Sequence, residues 1–413
     1  MADQELAPAD PRRVAVVLAA GRGTRMRSAL PKVLHPAAGR PLLAWVLDAA
    51  RAAGCGRIVV VTGHAADAVR AEPRIAELAG ALAESGVVLG WAIQAEQRGT
   101  GHALAQAAAA AAGAERVVVL SGDVPLVTAA TLDRLLAAAT AAGTWGAMAV
   151  ADLERPGSLG RVIAAPGEPR RLERIVEAAD ATPPELAVST VNAGLYVLPA
   201  PDIFARLDRL EPANMQGELY LTDAVNAAAA DGHRVALVPL GDPHEALGVN
   251  DRRELAAVHR ILIDRHLDVL MLSGVSVLEP ARTTVEPAVC VGGDTVLHPE
   301  VSLLGRTSVG RGCVLHQGAW VRDSVLGDGV TVGPYGVLDG ARLAEGSRLG
   351  PHAYLTPAGA GESQARRPLA TAEEKQETQG TAPALLPAAG EAGPAAASVP
   401  GAAGAPGPVR EET

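Results

Sequence analysis

Apolar residues recur along this chain in three different periods, and each period predicts a different kind of element. Unbroken apolar runs come first, at residues 14–20 (VAVVLAA), 57–61 (RIVVV) and 116–120 (RVVVL). Runs this short and apolar throughout predict strands of a parallel sheet buried on both faces. Helical spacing fills the gaps between them, over residues 41–53, 65–84, 102–112 and 129–141, with a further strand at 87–91. Such alternation predicts an α/β fold, mainly parallel, with helices on both sides of the sheet. Between residues 157 and 196 the pattern breaks into short extended pieces at 161–164, 171–176 and 191–198. These predict an antiparallel insertion or subdomain over the sheet's rim. A helix through residue 230, a strand at 234–239 and the turn Gly248-Val249-Asn250 complete the region.

The second period is a single long helix over residues 251–272, with Leu255, Val258, Ile261, Leu262, Leu267 and Leu270 on its apolar side. It reads as a link. The third period is six: Val285, Val291, Leu297, Leu303, Val309, Leu315 and Val321. After one shortened step the series resumes at Leu326, Val332 and Leu338, then breaks before Leu349. Neither helix nor alternating strand gives a period of six, whereas a parallel β-helix places one aliphatic residue inward per hexapeptide face. The series supports about four coils of roughly 18 residues each. The expected organisation is a disordered 1–13, an α/β domain over 14–250, a linking helix over 251–275, a hexapeptide β-helix over 276–356 and a disordered Ala/Gly/Pro-rich tail over 357–413.

Composition narrows the function. The chain has 413 residues, net charge −10 and only 2% aromatic residues. The acidic balance argues against nucleic acid as a partner, and no apolar run is long enough for membrane insertion. With no signal-peptide core and three scattered cysteines, Cys55, Cys290 and Cys313, a cytoplasmic location is expected. Lysine is rare: Lys and Arg total 36, yet lysine stands only at positions 32 and 375. Where arginine serves as the generic cation, a lysine marks a place that needs a compact ammonium.

That lysine follows a Gly-rich turn, Gly21-Arg22-Gly23-Thr24, at the end of the first strand. Such a turn can aim backbone N–H groups at an anion, with Arg25, Arg27 and Lys32 adding charge. It has neither the GxGxxG pattern nor a P-loop ending. In open sheets ligands sit at the carboxyl ends of strands near a switch point. That places Gly21–Lys32, the turn Gln97–Gly101 and Ser121-Gly122-Asp123 on one rim. Asp123 is either a ligand for a hard divalent cation or a helix-capping turn residue. Gln94 either reads a base edge or is an exposed amide. Glu177 and Asn192 lie beside the extended pieces, and Asn250 offers a neutral oxygen at a strand end.

Together these segments resemble the bifunctional N-acetylglucosamine-1-phosphate uridylyltransferase/glucosamine-1-phosphate acetyltransferase family. The matching pieces are LAAGRGTRM with PKVLH, QAEQRGTGHA, SGDVPL, GRV with IVE, VNAGLYV, NMQGELYLTDAV and GVNDR, followed by the hexapeptides. The resemblance implies a Rossmann-like nucleotidyltransferase domain and a left-handed β-helix that assembles as a homotrimer. It implies UTP and N-acetylglucosamine 1-phosphate as substrates and Mg²⁺ as cofactor. Leu18, Ala19, Ala20 and Gly21 would hold the nucleotide, with Arg25 and Lys32 on its phosphates. Gln94, Gly99 and Thr100 would support the base, and Ser121 and Gly122 the ribose. Asp123 and Asn250 would bind the metal; Gly160, Glu177 and Asn192 would hold the sugar. Two other readings compete: transfer of another nucleotide or sugar (dTTP, glucose 1-phosphate), and a non-catalytic nucleotide-sugar-binding assembly subunit.

The chain departs from the family pattern near the sugar residues, where Leu159 replaces a usual Tyr, Ala178-Ala179 a usual Lys, and Ala193 a common Thr. Beyond about Tyr354 the coils that carry the acetyltransferase's His are missing, and His298, His316 and His352 fall in the wrong part of the repeat. The expectation is a uridylyltransferase without acetyltransferase activity. Purified chain given acetyl-CoA and glucosamine 1-phosphate should release no CoA; enzyme-dependent release of free thiol would overturn this.

Overall fold

The computed structural model describes residues 9–63, 65–212 and 216–356. The expected disorder at 1–8 and over 357–413, and residues 213–215 of the NMQGELYLTDAV motif, lie outside these. Nine strands form one sheet: β1 (Asp10–Ala19), β2 (Cys55–Thr62), β3 (Val88–Ile93), β4 (Arg116–Ser121), β5 (Gly146–Asp152), β6 (Arg161–Ala165), β7 (Glu168–Val176), β8 (Thr190–Pro199) and β9 (Val235–Pro239). Their spatial order is 3-2-1-4-8-5-9-7-6. Strands β3, β2, β1 and β4 run parallel, and β8 enters antiparallel between β4 and β5.

Val14 and Val16 pack on one face of the sheet and Ala15 and Val17 on the other, all wholly buried. This is why the first strand reads as a continuous apolar run. Leu43, Leu47, Leu132 and Leu135, from helices Leu42–Ala52 and Ala129–Thr140, cover one face. Leu104, Ile203, Leu221 and Val225 cover the other.

Several sequence expectations change. The first strand begins at Asp10, pairing with Cys55, so residues 10–13 are part of the sheet. The helix expected over 65–84 is two, Ala66–Ala71 and Pro73–Glu84. Glu72 is extended (φ −61°, ψ 120°) because the ring of Pro73 disfavours helical backbone just before it. The helix expected over 102–112 is Thr100–Ala105, followed by turns. The extended pieces of 157–196 form no separate subdomain: β8 sits inside the main sheet, beside a strand at 146–152 that the apolar pattern did not reveal. No helix among the described residues is long and apolar enough to cross a membrane.

Helix Arg252–Leu272 starts at a capping box of Asp251 and Glu254. It leads to a parallel β-helix whose three faces hold five, five and four strands among the described residues. Leu297 stacks between Val277 and Leu315, while Leu303 stacks between Val285 and Val321. The break expected before Leu349 does not exist. Leu343 continues the series below Leu326, and Leu349 follows below Val332. After a first step of 20 residues on one face, Val277↔Leu297, the coils shorten from 18 to 17 residues, as Val291↔Val309 gives way to Val309↔Leu326. Buried hydroxyls bind one coil to the next. Thr295 Oγ1 accepts from Cys313 N–H at 3.1 Å, and Ser324 Oγ from Ala341 N–H at 2.9 Å.

Inward and outward positions should therefore respond differently. Leu315→Ala, at a wholly buried site, should cost about 2–5 kcal/mol in urea unfolding. Val325→Ala, at an outward site 39% exposed, should cost under about 0.5 kcal/mol. Equal losses would contradict this register.

Candidate active site

The sheet's strand order reverses between β1 and β4, so the loops leaving these two strands diverge and leave a crevice between them. Their ends are level, Leu18 pairing with Ser121, and Gly122 N–H donates to Leu18 O at 2.9 Å. The Gly-rich turn from β1 and the Ser121-Gly122-Asp123 turn from β4 are thus neighbours. Side-chain space is tight at Gly122, where a Cβ would lie 3.2 Å from that of Ala19.

The turn after β1 is built around Lys32. Gly23 is left-handed (φ 58°), and a Cβ on it would lie 2.7 Å from Lys32 Cβ. Glycine is needed there both for the backbone angle and for the approach of the lysine stem. The backbone amides of Gly21 and Gly23 donate no hydrogen bond among the described residues, and the space above Gly21 is open. Arg25 is exposed, without a hydrogen bond or ion pair among the described residues. This is the composition of an anion cradle: free amides, a free guanidinium and space.

Lys32 Nζ contacts Asp123 Oδ2 and donates to Asn250 Oδ1 at 3.3 Å. The Lys32 and Asp123 side chains are only 12% and 19% exposed, so the pair is screened less than a surface ion pair. Asn250 is not at a strand end. It lies just before the N-cap of the long helix, where its N–H donates to Glu254 Oε2 at 2.6 Å. The preceding Val249 N–H donates to Asp123 O at 2.8 Å, which brings Asn250 to the rim. Asp123 caps no helix among the described residues; it lies in the turn after β4, with its side chain on Lys32.

The loop after β3 forms the next wall. Gln94 is buried, and its amide group donates to Gly99 O at 3.0 Å and lies 3.2 Å from His102 Nδ1. It shapes the loop, and is not the exposed amide that was the alternative. Gln97, which motif reading left unassigned, donates to Ala20 O and ties this loop to the Gly-rich turn. Gly99 (φ 103°) lies so close to Leu219 that a Cβ would sit 2.5 Å from its carbonyl oxygen. Thr100 Oγ1 accepts from Leu221 N–H at 3.1 Å. The QRGT turn is therefore clasped to the segment before helix Leu221–Ala230.

Gly160, Glu177 and Asn192 also converge. Asn192 N–H donates to Gly160 O at 2.9 Å, and a Cβ on Gly160 would lie 3.2 Å from Glu177 Oε2. Thr222 Oγ1 donates to Glu177 Oε1 at 2.9 Å. Burial pushes the Glu177 carboxyl above its usual pKa, opposed by the Thr222 bond and reinforced by Asp223 and Asp180. Tyr196 is wholly enclosed beside it; burial, then the Glu177 charge, raises its phenol pKa, while a bond to Asn192 opposes them. Gly194 (φ 72°) joins this cluster to the rim, since a Cβ on it would lie 3.7 Å from Ser121 Oγ. Thr222 and Tyr196 were missed as site residues, although both lie inside matched motifs. Nothing in a linear pattern says that a helix residue at 222 meets a strand residue at 177.

The profile of the MobA-like NTP transferase domain matches residues 15–271. A bifunctional protein GlmU of Trichlorobacter lovleyi is 43% identical over 344 residues, 83% of this chain and 72% of that relative. A second bifunctional protein GlmU, from Anaeromyxobacter sp. (strain Fw109-5), is 45% identical, over 83% of this chain and 68% of its own length. A solved structure of UDP-glucose pyrophosphorylase with UDP-glucose covers 60% of this chain and 97% of that one. Its TM-score is 0.50 at 19% identity, a likeness of fold. With a MobA-like domain over its α/β half and relatives of this name along both halves, the chain is a nucleotidyltransferase and belongs to the GlmU family.

Proposed function

We propose that the chain transfers a uridylyl group from UTP to N-acetylglucosamine 1-phosphate, giving UDP-N-acetylglucosamine and pyrophosphate. The observation that carries this is the meeting of Lys32, Asp123 and Asn250 at the switch point, beside the open amides of Gly21 and Gly23. A binding-only subunit would have no use for a half-buried carboxylate and amide oxygen directed at a single cation.

In this reading a phosphate oxygen of the sugar phosphate attacks the α-phosphorus of UTP. The bond from that phosphorus to the bridging β-oxygen breaks, and pyrophosphate leaves with its electrons. Two polyanions must meet, so catalysis is chiefly positioning and charge neutralisation. Arg25 and the free loop amides hold the triphosphate. Lys32 supplies a fixed positive charge as negative charge grows on the leaving oxygen. Gln94, Gly99 and Thr100 wall the base side, while Ser121 and Gly122 border the ribose. Gly160, Glu177 and Asn192 receive the sugar hydroxyls and amide.

The donor set fits a hard cation. Asp123 and Asn250 present oxygen atoms to one point, and the Lys32 ammonium, itself a cation, bonds to both. These two residues would hold Mg²⁺, which takes few protein oxygens and keeps water or phosphate as its other ligands. When bound, it supplies charge neutralisation across the phosphates. The β-helix is proposed to join three copies; Val325, Tyr335 and Tyr354 are exposed on its surface.

Pyrophosphate release measured over UTP, dTTP, N-acetylglucosamine 1-phosphate and glucose 1-phosphate tests the substrates. Highest kcat/KM is expected for the first and third together, and a preference for dTTP or glucose 1-phosphate would replace this assignment. Asp123→Ala and Lys32→Ala should each lower kcat by roughly a hundredfold or more. Near-normal turnover in either variant would remove that residue from the mechanism.

Glu177 supplies a test of the sugar pocket. Because its folded pKa is raised, the folded protein binds that proton more tightly than the unfolded chain. Its contribution to stability is thus lost as pH climbs from the ordinary carboxylate pKa through the raised one. Glu177→Gln should unfold no more easily than wild type at neutral pH, with any advantage vanishing in acid. It should also raise KM for the sugar phosphate roughly tenfold, the scale of one hydrogen bond to a charged group. Unchanged KM with lower stability at every pH would make Glu177 a structural residue.

A further inference from the structure

Lys32 is carried by an irregular segment. The residues around it form two single-turn 3₁₀ helices, Thr24–Met26 and Lys32–Leu34, joined by an exposed stretch. A two-stranded hairpin follows, Pro36–Ala37 with Arg40–Pro41. Such a segment has little regular hydrogen bonding to set its position, yet its ammonium must meet Asp123. Something outside the segment must fix it.

The long helix grips it at both ends. Arg252 Nε donates to Met26 O at 3.3 Å, and Arg252 Nη1 donates to His35 Nδ1, also at 3.3 Å. Met26 closes the first 3₁₀ turn, and His35 N–H bonds back to Lys32 O at 3.2 Å. One guanidinium therefore spans the two ends of the stretch that holds Lys32. His35 is buried, and its Nε2 has no hydrogen-bond partner within bonding distance among the described residues. Its bond to Arg252 is a polar anchor of the ring on the side of the long helix.

Two turns further along the same helix face, His259 Nδ1 accepts the Ala38 N–H at 3.1 Å. Ala38 is left-handed (φ 46°) at the hairpin tip, and Gly39 follows at φ 78°. An alanine held there costs strain, so the His259 bond and enclosure compensate for it. The enclosure is supplied by the first coil of the β-helix. A Cβ on Gly39 would sit 2.4 Å from the Glu286 carboxyl carbon, and Glu286 Oε2 also accepts Gly305 N–H at 2.7 Å. Met26, Ala37 and Ala38 belong to the same apolar cluster as Val258 and Leu262 of the helix and Val285 of that coil.

We propose that Arg252 and His259 are positioning residues that hold the Lys32 segment in register with Asp123. The long helix with the first coil is then the wall against which the catalytic loop is set. This rests on the reading of Lys32 and Asp123 as the centre of nucleotidyl transfer. Neither residue touches substrate; each acts through the loop it holds. Loss of either lets the ammonium wander from the developing charge, which affects the transition state more than the bound ground state.

The test is steady-state pyrophosphate release by the full chain. Arg252→Ala and His259→Ala should lower kcat about ten- to a hundredfold, the scale of a small displacement of a catalytic group. KM for both substrates should change less than about threefold. His259→Asn, whose amide oxygen can still accept the Ala38 N–H, should recover most of the rate. Arg252→Lys should not, because an ammonium cannot reproduce a guanidinium's fixed fork to two acceptors; it also serves if the alanine variants fold poorly. Arg253→Ala, at a neighbouring side chain 94% exposed, should behave as wild type. Unchanged kcat in Arg252→Lys and His259→Ala would overturn the proposal, as would a loss expressed in KM alone or no recovery in His259→Asn. An inactive wild-type chain would instead defeat the functional reading on which it rests.

Discussion

Everything at the rim depends on keeping one ammonium and one carboxylate together, half-removed from water, where two strands part. Removing either charge from solvent is unfavourable unless the other is present and oriented. The fold meets this condition from three directions: the turn after β1 brings Lys32, the end of β4 brings Asp123, and the lead-in to the long helix brings Asn250. Backbone bonds from Gly122 to Leu18 and from Val249 to Asp123 align Asp123 and Asn250, while side chains of the long helix hold the segment that carries Lys32.

The glycines here have distinct duties. Gly23 makes room for the Lys32 stem, Gly99 lets the loop after β3 lie against Leu219, and Gly160 opens space beside Glu177. Gly21 faces open space, which suits an amide that approaches a ligand. The cluster around Glu177 differs: burial disfavours the charge of its carboxyl, and the Thr222 hydroxyl opposes that effect.

The first coil of the β-helix reaches the Lys32 region through the Glu286 carboxyl, which lies against the hairpin tip at Gly39. The regularity of the β-helix comes from stacked aliphatic residues and from buried hydroxyls that bond one coil to the next. The shift from 18 to 17 residues per coil is accommodated at a corner, which leaves the inward stacking intact.

The sequence by itself determined the two architectures, because period is a local property: buried strands are continuously apolar and each β-helix face demands one aliphatic residue. It also singled out Lys32, Asp123 and Asn250, which the fold brings together, and Gly160, Glu177 and Asn192, which converge beside them. Less was legible where long-range pairing rules. The strand at 146–152, the insertion of β8 into the main sheet and the place of Leu343 in the coil series depend on partners far away in the chain. The same holds for Thr222 on Glu177 and for Arg252 and His259 on the Lys32 segment. Only the tertiary structure could decide these, because a side chain's role is set by what the fold carries to it, and linear spacing does not encode that meeting.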